Sequence, residues 1–155
     1  MSQSFLNVFG KKMQLRHVGV VCKDLQNSLD FYVHWFGCSV ARDMNESGEF
    51  ISAVLAHENI DVRTVKLNFP GGSSQLELLE FSNPKMGESH TSLFTQGITH
   101  FALQVRGLDR LFQDMSLAGI HFLSSPMLSE DGLAKVCFCK TPEGVFIELV
   151  ELINQ

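Results

Sequence analysis

Apolar positions in this chain switch between a period of two and a period near 3.6, and they do so twice in the same order. Leu15-Arg16-His17-Val18-Gly19-Val20-Val21 reads as a strand. Leu25, Leu29, Tyr32, Val33 and Phe36 then recur at helical spacing, with Asp24 as a cap and Gly37 as the stop. Phe50 to Ala56 and Arg63 to Phe69 read as strands, the second alternating Val65, Leu67 and Phe69 against Lys66 and Asn68. Pro70-Gly71-Gly72-Ser73-Ser74 turns the chain into a last strand, Gln75-Leu76-Glu77-Leu78-Leu79.

The order then repeats. Ile98-Thr99-His100-Phe101-Ala102-Leu103 is strand-like, and Asp109 caps a helix with Leu111, Phe112, Met115 and Ala118 on its apolar stripe and Gly119 at its end. Phe122 is expected at a strand end and Lys135 to Cys139 as a strand. Thr141-Pro142-Glu143-Gly144 is the turn before Val145-Phe146-Ile147-Glu148-Leu149-Val150. Each unit is therefore β-α-β-β-β with the helix on one face of its sheet, an α+β architecture. Module one covers about 14–82 and module two about 97–152, together a single domain over 14–152. Residues 1–13 lack a clear period, but Phe5, Leu6, Val8 and Phe9 make them an apolar N-terminal arm. Extra chain in the first unit is expected within Ala41 to Gly48 or His57 to Asp61, where loops commonly shape a pocket.

Composition narrows the classes of function. At 155 residues, 45% of them hydrophobic, the chain can bury one sizeable core. A formal charge of -5, with Lys11-Lys12 the longest basic run, offers nothing that would follow a phosphate backbone, so nucleic acid is not an expected partner. No apolar stretch reaches the roughly 18 residues that span a bilayer, and a cytoplasmic location is expected. Cys22, Cys38, Cys137 and Cys139 are expected to be reduced core thiols.

The repeat matters most for two residue types. Each unit opens on a strand histidine and closes on a strand glutamate, giving His17 with Glu77 and His100 with Glu148. Side chains alternate across a strand, so His17 shares its face with Leu15, Gly19 and Val21, and Glu77 with Leu79 and Phe81. A carboxylate on an apolar face needs a cation or hydrogen-bond donors beside it. A lone strand histidine or glutamate is more often structural than functional. Two matched pairs instead have the inventory of a metal site built from nitrogen and oxygen donors. His34, His57, His90 and His121 have no such counterparts and are expected to be solvated. Phe31 and Trp35 lie four apart on the first helix and suit an aromatic packing ridge.

His17 with Asp24-Leu25, Phe31-Tyr32 and Gly37, the Leu76-Glu77-Leu78-Leu79-Glu80 strand, Gly97-Ile98-Thr99-His100-Phe101-Ala102, and Thr141 to Val150 together resemble the vicinal oxygen chelate superfamily. That superfamily includes glyoxalase I, methylmalonyl-CoA epimerase, extradiol dioxygenases and bleomycin resistance proteins. The resemblance implies paired βαβββ modules forming an open, U-shaped mixed sheet with helices on the outside. It also implies one divalent ion (zinc, nickel, cobalt or manganese) held by His17, Glu77, His100 and Glu148. It further implies a metal-dependent lyase or isomerase that abstracts a proton next to a carbonyl while the ion holds the enolate oxygen, with Glu148 the first candidate base and Glu77 the second. A small carbonyl compound or thioester is the implied substrate and a homodimer the implied assembly.

Within that resemblance, lactoylglutathione lyase typically has an arginine four residues after the first histidine and an asparagine four after the first glutamate. Val21 and Phe81 stand there instead, leaving glutathione carboxylates without a charged partner. A dioxygenase would use two histidines and one carboxylate, and Glu77 is one ligand too many. A drug-sequestering protein generally lacks the ligand set.

Overall fold

The computed structural model describes residues 14–88 and 92–153, so the N-terminal arm and His90 lie outside the described residues. The first module runs β1 (His17–Val21), α1 (Leu25–Phe36), β2 (Ser39–Ser47), α2 (Glu49–Val54), β3 (Asp61–Asn68) and β4 (Gln75–Asn83). The second runs β5 (His100–Gln104), α3 (Leu108–Leu117), β6 (Met127–Leu128), β7 (Ala134–Lys140) and β8 (Phe146–Leu152). Each module folds one four-stranded mixed sheet, in the orders β1-β4-β3-β2 and β5-β8-β7-β6. In both, the first strand lies parallel to the last, and the remaining ladders are antiparallel.

Helix α1 begins where Asp24 accepts a hydrogen bond from Asn27 N–H at 2.9 Å and ends at Gly37, whose φ of 62° suits glycine. Its buried side is Leu25, Ser28, Phe31 and Tyr32, while Val33 is exposed. The expected stripe is thus rotated toward Phe31. Sheet and helix meet through Leu76, Leu78, Val65 and Leu67, each at most 1% exposed. The second module repeats this with Ile147, Leu149, Cys137 and Cys139 against Leu108 and Met115. The helix-facing sides of both modules belong to one continuous core, completed by Trp35, Phe36, Phe101 and Leu103.

Three sequence expectations are corrected. Ala41 to Gly48 is not an inserted loop but most of edge strand β2, which buries no residue fully and has only Met44 and Glu46 half-buried, so it lacks the apolar alternation of a strand. Phe50 to Ala56 is not a strand. Gly48 breaks the extended chain at φ 91°, and Glu49–Val54 coil into α2, a short helix with none of its residues buried. The extra chain of the first module is this helix and the turn after it. Asp109 does not cap α3. It lies inside the helix and pairs with Lys135 at 2.5 Å, while the cap position is Gly107.

A carboxylate from the sheet serves the start of α3 in its place, and another supports the start of α1 alongside Asp24. Glu80 accepts from Leu25 N–H at 3.2 Å, and Glu151 accepts from Gly107 and Leu108 N–H. Both glutamates stand three residues after a candidate ligand, which on a strand puts them on the opposite face. A further carboxylate joins the modules. Glu143, in the turn before β8, accepts hydrogen bonds from Ser28 Oγ at 2.9 Å and Tyr32 Oη at 2.6 Å on α1. Burial and this neighbouring carboxylate hold the Tyr32 phenol well above its usual range.

Candidate metal centre

The two histidine and glutamate pairs form in the same way. His17 lies two residues before Gly19, which faces Glu77 across the parallel ladder, and His100 lies two before Ala102, which faces Glu148. Small residues at Gly19 and Ala102 leave room for each carboxylate to lean toward its imidazole. A Cβ at Gly19 would stand in ordinary van der Waals contact with Glu77 Oε2, at 3.8 Å. The result is His17 Nε2 at 3.2 Å from Glu77 Oε2 and His100 Nε2 at 3.5 Å from Glu148 Oε2. All four side chains are part-exposed, from 15% at Glu77 to 36% at His100, because they occupy the sheet faces that turn away from the shared core.

The surroundings of the pairs differ. His100 Nδ1 lies 3.0 Å from Thr99 Oγ1, an orienting contact that leaves Nε2 directed at the carboxylate. His17 Nδ1 is buried without a hydrogen-bond partner among the described residues. Across β3, Lys66 Nζ sits 3.2 Å from Glu77 Oε1, so both oxygens of Glu77 are engaged. At the equivalent register on β7 stands Phe138, whose ring meets His100 edge-on at 5.2 Å between centroids.

The structure joins the expected ligands pairwise but not as a foursome. Among the described residues no group of three or more His, Cys, Asp and Glu stands close enough to share a metal ion. His17 and His100 both line one cavity of about 870 Å³. Leu55, His57 and Ile60, from the extra chain of the first module, help to wall it. His34 and His121 are exposed and stand apart from the pairs. In kind the donors suit a borderline divalent ion, with two imidazole nitrogens and two carboxylates. In arrangement, each module presents half of such a set.

Residues 14–149 match the family model of the Glyoxalase/Bleomycin resistance protein/Dioxygenase superfamily. The chain belongs to that superfamily. A relative from Bacillus subtilis (strain 168), YwkD, is 28% identical over 140 residues, covering 88% of this chain and 95% of its own. Among solved structures, a glyoxalase family protein from Bacillus cereus aligns with a TM-score of 0.86 at 20% identity, over 95% of this chain and 99% of that one. The trypanothione-dependent glyoxalase I of Leishmania major aligns with a TM-score of 0.64 at 20% identity, over 90% and 87%. At these identities the solved structures establish the glyoxalase fold. No helix among the described residues is long and apolar enough to cross a membrane.

Two residues beside this centre, Lys66 and Thr99, and two on the opposite sheet faces, Glu80 and Glu151, have roles that the sequence does not announce. Lys66 was legible only as a polar position in an alternating strand. Thr99 was hidden by being next to its partner in sequence, and Glu80 and Glu151 by looking like surface charge. The available signal was the repeat itself, since both closing strands carry glutamates three residues apart.

Proposed function

We propose that the chain is a divalent-metal-dependent, glyoxalase-like enzyme that abstracts a proton from a carbon next to a carbonyl, with an isomerase, epimerase or lyase outcome. The observation that carries this reading is the His and Glu pair repeated at one register in both modules. A divalent ion supplies such chemistry with a Lewis acid for the carbonyl oxygen. His17, Glu77, His100 and Glu148 would hold it. Glu148 is the better-placed base, because its Oε1 has no partner among the described residues whereas both oxygens of Glu77 are engaged. Thr99 fixes the His100 ring beside it.

Each chain presents its two half-sets on faces turned away from its core, so the reading includes a homodimer. His17 and Glu77 of one copy meet His100 and Glu148 of the other, which completes both sites by a two-fold operation. Four free cysteines and the absence of a spanning helix among the described residues suit the cytoplasm.

Complementation tests this directly. A chain carrying His17→Ala and Glu77→Gln, mixed with one carrying His100→Ala and Glu148→Gln, should regain tight metal binding at one site per mixed dimer, while neither parent binds. No recovery on mixing, with intact metal binding by monomeric wild type, would place the site within one chain and sink the dimeric reading. Solvent deuterium incorporation into methylmalonyl-CoA or a methylglyoxal-glutathione hemithioacetal reads out the reaction. Oxygen consumption with a catechol would replace it by a dioxygenase. Capture of a flat drug without turnover would replace it by a sequestering protein.

A further inference from the structure

The two half-sets are alike in their ligands and unlike in what stands beside them. Lys66 and Phe138 occupy the same register, directly across the antiparallel ladder from Glu77 and Glu148 respectively. Lys66 is 19% exposed at its side chain, and its ammonium has three donors, of which one is taken by Glu77 Oε1. Arg42 on β2 is the next residue along the same row, opposite Lys66. It is exposed and has no ion-pair partner among the described residues. One half of the centre therefore ends in two cations in sequence along a sheet row, and the other half in an aromatic ring.

Charge balance gives this asymmetry a meaning. Two glutamates and one divalent ion cancel formally, and both imidazoles bind metal as neutral rings. With that ion bound, Lys66 would stand as a positive charge in excess of this balance beside a ligand carboxylate, with Arg42 behind it. Merely neutralising Glu77 would duplicate the work of the ion. An anion bound beside the ion would instead satisfy the free donors of Lys66.

We infer that Lys66 selects an anionic substrate, a carbonyl compound bearing a carboxylate next to the reacting centre, with Arg42 extending the same cationic row. The inference rests on the proposed metal centre and names the class of substrate it takes. The carboxylate meets the Lys66 side of the site, and the rest of the substrate lies toward Phe138 and His100.

The test uses the full chain loaded with zinc or manganese and titrated calorimetrically with pyruvate and with its neutral ester, methyl pyruvate. Wild type should bind pyruvate at least about tenfold more tightly than the ester, the order expected of one charge-assisted contact. Lys66→Met should lose about tenfold in pyruvate affinity, leave the ester unchanged and keep its metal content, while Lys66→Arg should retain the preference. Lys66→Met that binds pyruvate as wild type does would overturn the inference. So would loss of metal from a folded Lys66→Met, since Lys66 would then only support Glu77. If wild type itself takes up no metal, the proposed centre falls and this inference with it.

Discussion

Each imidazole of the candidate centre meets a carboxylate, but among the described residues only His100 has a hydrogen-bonding neighbour at its other nitrogen, Thr99. Replacing Thr99 by valine keeps shape and removes the hydroxyl, and should lower metal affinity about tenfold, measured by competition with a chromophoric chelator. The cysteines give a different kind of prediction. Burial pushes the thiols of Cys22 and Cys139 up to about 12 and those of Cys38 and Cys137 to about 11. These groups are acids whose folded pKa is raised, so their contribution to stability is complete below the unfolded thiol value, near pH 8.5 to 9, and is lost as pH climbs toward 11 and 12. Urea midpoints should hold through pH 8 and fall steeply above pH 9, less steeply in Cys139→Ala than in wild type. The same burial predicts no reaction with iodoacetamide in the native protein at pH 8.

At the level of elements, the strand and helix order of both modules was readable because apolar residues keep one period within each element and change it between elements. Helix α1 was legible to the residue at both ends, because Asp24 and Gly37 act locally. Helix α3 was not, because its cap comes from Glu151, a residue 44 positions from Gly107 that only the folded sheet brings near. Edge strand β2 and helix α2 were misread for a related reason: neither buries a clean face, so periodicity had little to act on. Glu151→Gln should destabilise the protein by about 1 kcal/mol through α3, and Glu80→Gln by a similar or smaller amount through α1, both read from thermal unfolding. Spacing of three along β4 and β8 also polices pairing. A slip by one residue would turn the ligand glutamate into the core and the capping glutamate away from its helix, a doubly costly error that keeps the register unique.

For the molecule as a whole, the pairing of His17 with Glu77 and of His100 with Glu148 was legible from the repeat, whereas the way the modules pack was not. Beside the shared apolar core, Glu143 reaches Ser28 and Tyr32, a contact more than 100 positions apart in the chain that no local pattern announces. Tyr32→Phe deletes one donor to a part-buried carboxylate and should cost about 1 to 3 kcal/mol of stability, measured by chemical denaturation. Half-sets that face outward have a consequence for every solution experiment. If metal capture requires two copies, binding the ion and joining the chains are linked equilibria, so each must strengthen the other by the same factor. Apparent metal affinity should then rise with protein concentration, and a chelator should drive the dimer toward monomer. An assay run at nanomolar protein would under-read activity by dilution alone, and recovery on adding inactive double-variant chains would trace the deficit to mass action rather than to damaged enzyme.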